Sequence, residues 1–433
     1  MSAHESKATF FRQGGWMVLA TVAGGVFMTA VHFIAGGMAP NSEYGVFCTL
    51  LRIYLLMGIP ATGLQTVFAQ QAAAALDGRE QRQLAANSRA VIYWTFLVWA
   101  VSATLVLVFS QAFVTALKIS NADALWITLL LGLAALWMPV LKGLLQGRQH
   151  FLGMGWVMIL DGVGRFTAVV VIVRFLHGQA AGGMLGALLG QVISLAAGLW
   201  FARAFLFGPG EPFDWKPWIR RVVPLTFGAG AILILSNADI VFVQSVFSKE
   251  TTSLYAAGAI VGFALAQFTM PLAVVMYPKI ARSAARSETT DALSLTLKAT
   301  AIMGSAAALV VTGWPELPLR ILYFRNPAYF VQAAPLVPWF AWCLLIVSLA
   351  NVLVSNLLAR ERFAIVPWLA AIAAGYLGTL IGCRASLLAL PPLVAFQRVV
   401  MILGAFSLAL SLAALWFTWG RKSPPAQGPA LKS

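Results

Sequence analysis

Charged residues are scarce in this chain. They make up 10% of its 433 residues, whereas hydrophobic residues make up 60% and the mean hydropathy is +0.85. This composition excludes a soluble domain, which needs a larger charged and polar surface. Windows of about 20 apolar residues, the length that crosses a hydrocarbon core as a helix, recur along the whole chain. The sequence therefore predicts an all-α polytopic membrane protein.

Cysteine and histidine are also rare, with three and four residues. An odd number of cysteines cannot complete a disulfide framework, so Cys48, Cys343 and Cys383 are expected to be packing residues. Only His32 lies inside a predicted span, where a hydrogen-bonded packing role is favoured over a proton relay. The chain has no Cys/His cluster with metal-ligand spacing, no phosphate-binding Gly-rich loop, and no HExxH or GxSxG motif. We therefore expect a protein that is not an enzyme, without catalytic residues, metal or cofactor.

Twelve apolar segments are long enough to span a bilayer as helices. The predicted spans are residues 14–38, 46–68, 91–114, 125–145, 154–176, 183–207, 222–247, 255–277, 299–317, 337–357, 365–383 and 393–419. The first is longer than the apolar region of a typical signal peptide, so we expect it to remain as a span. Glycines at small-xxx-small spacing, Gly182, Gly186 and Gly190 in the sixth span and Gly378 and Gly382 in the eleventh, predict close helix packing.

Acidic residues are few: 14 Asp and Glu face 29 Lys and Arg, which gives a net charge of +15. Such an excess is compatible with nucleic-acid binding, but its distribution indicates a membrane orientation instead. With the N-terminus inside, the basic residues in outside loops are only Lys118, Arg174, Lys249, Arg320, Arg325 and Arg384. This asymmetry follows the positive-inside rule. It predicts that both termini are cytoplasmic and that nucleic acid is not a partner.

The two halves of the chain show an internal repeat. At an offset of 211, Tyr44 corresponds to Tyr255, and a proline follows each of them 16 residues later. At an offset of 212, LQGRQHF (Leu145–Phe151) corresponds to LLARERF (Leu357–Phe363). Because six spans per half preserve the orientation, we predict two six-helix lobes related by an axis along the membrane normal. The alternative is one irregular twelve-helix bundle whose internal similarity is accidental.

The repeat and the spans together predict the domain organisation. The expected units are a cytoplasmic tail (1–13), an N-terminal lobe (14–207), a cytoplasmic linker (208–221), a C-terminal lobe (222–419) and a disordered cytoplasmic tail (420–433). Residues 69–90 are Ala-rich and charged, so we expect a helix that lies on the cytoplasmic surface. The outside loop 316–336 is apolar and aromatic, and we expect it to lie along the membrane.

Five ionisable residues stand out inside the predicted spans, namely Arg52, Asp161, Arg165, Asp239 and Arg398. Asp161 and Arg165 are four residues apart, so they share one helical face and are expected to pair. Arg52 and Asp239 each lie roughly 12 Å below the outer end of their spans. Arg398 is near a span end, from which its guanidinium can reach outward. A carboxylate or guanidinium at such a depth is costly unless it has a partner or a function.

Two interpretations of these charges remain open. In the functional one, Arg52, Arg165 and Arg398 line a central cavity and attract a negatively charged headgroup such as a diphosphate. Asp161, Asn237 and Asp239 would then serve in gating or ion coupling, with a polar contact near Arg52 and Asp239 holding an outer gate shut. In the other interpretation the charges merely neutralise each other, Asp161 with Arg165 and Arg52 with Asp239.

Three segments resemble a known family: residues 237–282 (NADIVFVQSVFSKETTSLYAAGAIVGFALAQFTMPLAVVMYPKIAR), Tyr323–Leu336 (YFRNPAYFVQAAPL) and Gly143–Phe151 (GLLQGRQHF). They are similar to polysaccharide and O-antigen flippases of the multidrug/oligosaccharidyl-lipid/polysaccharide exporter (MOP) superfamily. The resemblance implies two six-helix lobes around a central cavity, and export of a polyprenyl-diphosphate-linked oligosaccharide by alternating access. It implies a bacterial inner-membrane protein that serves O-antigen and lipopolysaccharide synthesis. Its expected partners are the lipid bilayer, the lipid-linked oligosaccharide and the polysaccharide polymerase machinery.

Other functions are compatible with parts of the sequence. A cation-coupled multidrug exporter of the same superfamily needs an acidic ion-binding cluster, whereas the spans contain two of the singled-out carboxylates against three arginines. Some superfamily members have fourteen spans, so twelve argue against the peptidoglycan-precursor branch. A sugar carrier of the other major six-plus-six type is disfavoured by the short central linker. A membrane-embedded polymerase is disfavoured because no outside loop is large enough for a catalytic site.

Overall fold

The computed structural model describes residues 7–75, 77–212, 214–266 and 292–420. In the first half the helices are α1 (Lys7–Ala35), α2 (Ser42–Met57), α3 (Ile59–Ala74), α4 (Gly78–Val108), α5 (Ser110–Ala116), α6 (Asp123–Gly147), α7 (Phe151–Val169, continued by a π-helical turn over Val170–Phe175) and α8 (Gln179–Leu206). In the second half they are α9 (Trp215–Val246), α10 (249–266), α11 (Ala292–Gly313), α12 (Glu316–Leu322), α13 (Pro327–Phe330), α14 (Val337–Ala359), α15 (Val366–Gly382), α16 (Arg384–Leu388) and α17 (Pro392–Leu415). Residues 421–433 of the predicted tail 420–433 and the repeat residue Pro271 lie outside the described residues.

The helices occur in the order of the predicted spans. Within the described ranges nine helices are long and apolar enough to cross a bilayer, and the bent pair α2 and α3 makes a tenth. The apolar part of α1, Leu19–Ala35, and α10 lie at the first and eighth predicted spans. A helix satisfies its own backbone hydrogen bonds, which is why apolar segments of this length cross a membrane in this form. The predicted all-α polytopic fold is confirmed.

The second span is broken in two. Its halves, α2 and α3, meet at Gly58 with a bend of 47°. Pro60 lies in the first turn of α3, where its missing amide hydrogen costs nothing because that position has no partner inside the helix. The predicted single span over 46–68 is therefore two shorter helices joined at an angle.

Residues 69–90 do not form the predicted surface helix. The first part of this segment ends α3 at Ala74, and the second part begins α4 at Gly78, which runs on into the membrane as far as Val108. The break arises from a capping box: the Asp77 carboxylate accepts from the Glu80 backbone N–H at 2.7 Å, and the Glu80 side chain reaches back to the Asp77 N–H. Asp77 thus fixes a helix start inside a segment whose composition indicated one continuous helix.

The internal repeat recurs in the backbone. The helices α6 and α14 end in the same cap, and Gln149 and Glu361, 212 residues apart, both have a φ of 56°. In both caps the next amide donates to the carbonyl five residues earlier, at 2.8 Å in the first half and 3.0 Å in the second. This is the hydrogen bond of a Schellman motif. Because a left-handed residue other than glycine is uncommon, the recurrence supports duplication rather than accidental similarity.

Close helix packing occurs at one of the two predicted glycine stripes. On α8, a Cβ added to Gly190 would lie 2.4 Å from the backbone nitrogen of Arg165, and one added to Gly186 would lie 2.5 Å from a methyl group of Val169. The α8 stripe therefore brings this helix against α7. On α15, a Cβ at Gly378 or Gly382 would meet no atom of the described residues within 4 Å, so the prediction is wrong there.

This contrast predicts opposite effects for two equal substitutions. Gly190→Ala places a methyl group against the α7 backbone and should lower the free energy of unfolding by about 1–3 kcal/mol. Gly378→Ala meets open space and should leave stability unchanged or raise it by up to about 1 kcal/mol, since alanine favours a helix. The measurement is unfolding of the purified protein in detergent. Equal stabilities for the two variants would show that α7 and α8 are not in close contact.

Candidate functional site

Arg52 on α2 reaches across to the second half of the chain. Its side chain is 6% exposed, and its Nη1 donates to Oδ1 of Asn237 on α9 at 3.0 Å. The Asn237 amide nitrogen donates to the Leu233 carbonyl at 2.8 Å, which turns its oxygen toward the arginine. The Arg52 guanidinium also lies 4.1 Å from the ring centroid of Phe263 on α10. An amide and an aromatic ring from the opposite lobe therefore hold this buried cation.

Asp239 is not the direct partner of Arg52. The described residues contain no ion pair between the two, and Oδ2 of Asp239 instead accepts a hydrogen bond from the Tyr255 hydroxyl at 2.7 Å. Asp239 follows Asn237 by two residues, so the two side chains point about 200° apart around α9. Asn237 therefore faces the N-terminal lobe, and Asp239 faces α10 within its own lobe. The expected direct contact of Arg52 with Asp239 is replaced by the Arg52–Asn237 contact, and the carboxylate remains within electrostatic range of the guanidinium.

The Asp161–Arg165 pair is present as predicted. Nη2 of Arg165 lies 3.3 Å from Oδ1 of Asp161, one turn away on α7. Gln191 on α8 joins them, since its Oε1 accepts from Arg165 at 3.5 Å and from the Tyr54 hydroxyl at 3.2 Å. Arg165 is 4% exposed, and its Nε has no hydrogen-bond partner within the described residues. The pair is therefore one part of a buried polar cluster inside the N-terminal lobe.

Lys142 is a cation of this cluster that the sequence analysis missed. It lies on α6 within electrostatic range of both Asp161 and Arg165. Its position three residues before the end of the predicted span 125–145 suggested a loop-end cation at the cytoplasmic surface. With Lys142, the cluster contains two cations and one carboxylate.

The loop between α12 and α14 closes one end of the bundle. The charge distribution predicts that this end is outside, and we call the inter-lobe contacts there the outer seam. The hydroxyls of Tyr44 and Tyr323 are 2.6 Å apart, and the Tyr323 ring stacks on Phe330 at 4.1 Å. Asn326 donates to the Asn41 side chain at 2.8 Å. Tyr323 and Phe330 therefore pack between the lobes, and the expectation that the loop lies along the membrane is wrong for these two residues. Phe324 of the same loop is exposed.

Lys118 joins the lobes at a second place in the outer seam. Its ammonium donates to the backbone carbonyls of Gln244, at 2.8 Å, and of Phe247, at the C-terminal end of α9. The Gln244 side chain donates in return to the Leu117 carbonyl at 2.7 Å. Burial lowers the pKa of Lys118, and nearby Arg384 lowers it further. The first lobe thus caps a helix of the second.

The remaining predicted residues lie in different surroundings. His32 on α1 is buried, shares a hydrogen bond of 3.1 Å with the Tyr44 hydroxyl, and lies within electrostatic range of both Arg52 and Arg165. His32 thus lies near both arginines, and its hydrogen bond is the one expected for a packing residue.

Arg398 is exposed on α17 and has no hydrogen bond or ion pair within the described residues. Cys48 and Cys343 are buried and free, whereas Cys383 is half-buried.

No family model and no curated protein matches the sequence. Solved structures match the fold. An outward-facing MATE-family multidrug resistance transporter of the MOP superfamily has a TM-score of 0.64 at 11% identity, covering 94% of this chain and 96% of that chain. A MOP-superfamily transporter from Pyrococcus furiosus has a TM-score of 0.67 at 11% identity with the same coverage. The lipid II flippase MurJ has a TM-score of 0.64 at 12% identity, covering 92% and 90%.

These likenesses define the class of the protein by its fold. The chain has the two-lobed, all-helical membrane fold of MOP-superfamily transporters. The matching structures described above are membrane proteins, which agrees with the prediction of a multi-pass membrane protein. At this level of identity the likeness concerns the fold alone.

The Asp239 contact gives a paired prediction. Tyr255→Phe removes the hydroxyl that donates to Asp239 and should lower the free energy of unfolding by about 1.5–3 kcal/mol, the range for hydrogen bonds to charged groups. Tyr376→Phe is the matched control, because the buried Tyr376 hydroxyl has no hydrogen-bond partner within the described residues. It should be neutral or slightly stabilising in the same detergent unfolding assay. A larger loss for Tyr376→Phe than for Tyr255→Phe would contradict this assignment.

Proposed function

We propose that this protein moves a polyprenyl-diphosphate-linked oligosaccharide across the bacterial cytoplasmic membrane by alternating access, for the synthesis of surface polysaccharide such as the O-antigen of lipopolysaccharide. The Arg52 contact is the observation that carries the proposal. A buried guanidinium between the two lobes is bound by a neutral amide and a ring rather than by a carboxylate. Guanidinium remains charged and binds phosphate oxygens in pairs. Such a cation favours an anionic cargo.

The charges around Arg52 support the same conclusion. The N-terminal cluster contributes Arg165 and Lys142 against Asp161, and the Asp239 carboxylate is bonded to Tyr255. Positive charge therefore exceeds negative charge in this part of the membrane interior. The Pyrococcus furiosus transporter is described as having a binding pocket whose reverse polarity suggests a different function.

The outer seam suggests how access alternates. In the proposed cycle, lobes 14–207 and 222–419 rock about the linker 208–221, and the outer end opens when the seam contacts and the Arg52–Asn237 bond separate. The headgroup passes through the cavity while the lipid tail remains in the bilayer. Asp161, Asn237 and Asp239 take part in gating or ion coupling, and Arg52, Arg165 and Arg398 meet the diphosphate. In this proposal both termini are cytoplasmic. The transported oligosaccharide is received outside by the polysaccharide polymerase machinery.

The alternative is a cation-coupled multidrug exporter. The likeness to MATE-family transporters supports it as a matter of fold. Against it, the predicted coupling carboxylates Asp161 and Asp239 lie in separate lobes, and each is already bonded. A deletion strain separates the two functions: greater drug susceptibility with normal surface polysaccharide would favour the exporter.

The cargo site is tested by removing its cations one at a time. Arg52→Ala and Arg165→Ala should each slow transport of a fluorescent lipid-linked oligosaccharide in proteoliposomes by about tenfold or more, since each loses a charge-assisted phosphate contact. Arg203→Ala is the control, because Arg203 is an exposed arginine of α8 that stacks on Trp200 at 3.7 Å. It should transport normally. Wild-type rates in both Arg52→Ala and Arg165→Ala would exclude this cargo role.

Opening of the outer seam is tested by cross-linking its two sides. In a background without native cysteines, Asn41→Cys and Asn326→Cys should be joined by a short thiol cross-linker, because their side chains are 2.8 Å apart across the lobes. Cross-linking should stop transport, and reductive cleavage of the linker should restore it. The pair Glu316→Cys and Arg320→Cys, one turn apart on α12, is the control and should transport equally well when cross-linked. Undiminished transport by the protein cross-linked at these two positions would disprove opening at this end.

A further inference from the structure

Three of the six outside cations, all of them arginines, lack the protein partners that the other three have. Lys118 is bound to backbone carbonyls, Lys249 donates to Ser120 at 2.6 Å, and Arg320 is paired with Glu316 at 2.8 Å. Arg174, Arg325 and Arg384, in contrast, have no hydrogen bond or ion pair within the described residues. Of these three, Arg174 and Arg325 share one site on the outside, where basic residues are few.

Both arginines line the same cavity at the outer seam. Its volume is about 410 Å³, and its lining also includes His177, Asn41 and Asn326. Arg174 belongs to the π-helical turn after α7 in the N-terminal lobe, and Arg325 lies between α12 and α13 in the C-terminal lobe. No carboxylate is among the nine lining residues. The cavity therefore presents cationic and amide groups from both lobes without an internal anion.

The backbone around the cavity fits this arrangement. The Arg325 side chain lies so close over Gly37 that a Cβ there would be 2.8 Å from its Cδ. His177 has a φ of 53°, in the left-handed region, where the chain turns from the end of the fifth span into α8. The bond between Asn326 and Asn41 joins the two sides at the cavity wall. Each lobe thus contributes an arginine next to a contact that already links the lobes.

We propose that this cavity is a phosphate-binding site. Guanidinium groups, an imidazole and carboxamide nitrogens are the donors that bind phosphate oxygens, and the volume is within the range of small-ligand sites. The phosphate belongs either to the diphosphate of the cargo, a source that rests on the proposed function, or to an anionic lipid headgroup. Because the two arginines come from opposite lobes, a bound phosphate offsets their repulsion and holds the outer seam closed.

The first arm of the test uses inorganic pyrophosphate. Titration calorimetry on the purified full-length protein in detergent should show binding that weakens by about tenfold or more in Arg174→Gln and in Arg325→Gln. Arg320→Gln, an exposed outside arginine that is paired with Glu316, is the matched control and should bind normally. Gly37→Ala displaces Arg325 without changing the charge and should also weaken binding.

The second arm uses lipid. The unfolding temperature is compared in nanodiscs that contain phosphatidylglycerol and in nanodiscs of phosphatidylcholine alone. Stabilisation by phosphatidylglycerol that Arg325→Gln abolishes would identify a lipid headgroup as the source, and loss of pyrophosphate binding alone would identify the diphosphate.

The inference is overturned if both arginine variants behave as wild type in both arms. It is also overturned if only Arg52→Gln loses pyrophosphate, because the ligand then lies between the lobes in the membrane interior. The two proposals can also fail separately. If pyrophosphate binding depends on Arg174 and Arg325 while Arg52→Ala and Arg165→Ala transport the oligosaccharide normally, the phosphate site is supported and the proposed function is contradicted.

Discussion

A guanidinium buried where two lobes meet is the constraint on which the rest of this molecule depends. A charge inside a bilayer costs about 2.5–3.5 kcal/mol on insertion scales, so it must be solvated by protein or by water. The partners of Arg52 are Asn237 and Phe263, and both belong to the other lobe. The lobes therefore cannot part at this level without a new partner for the arginine. Water or an anionic group fulfils that requirement. In the proposed function, this links the energetics of the interface to the charge of the cargo.

The two halves of the internal repeat differ in the hydrogen bonds made at one corresponding position. Tyr44 and Tyr255 correspond in the repeat, both are fully buried, and each hydroxyl bonds to the preceding helix of its own lobe. On that helix the partner is the imidazole of His32 in the first lobe and the carboxylate of Asp239 in the second, and the Tyr44 hydroxyl also contacts the Tyr323 hydroxyl. A structural position has been retained while its chemistry has diverged.

Local features of this fold were predictable from the sequence, and contacts between distant segments were not. The spans and the Asp161–Arg165 pair depend on periodicity and on spacing within one helix. The Arg52–Asn237 contact joins residues 185 apart and depends on how the lobes dock. The outer loop was misplaced because apolar composition does not reveal whether lipid or protein covers a side chain. Lys142 was overlooked because a cation near a span end resembles one at the membrane surface.

The cap that Lys118 places on α9 has a further consequence. The last carbonyls of a helix have no partner within it, and here an ammonium from the other lobe satisfies them. When the lobes separate in the proposed cycle, these carbonyls and the ammonium must both be hydrated. Opening at this end therefore takes up water and closing expels it, so the conformational equilibrium should respond to osmotic stress.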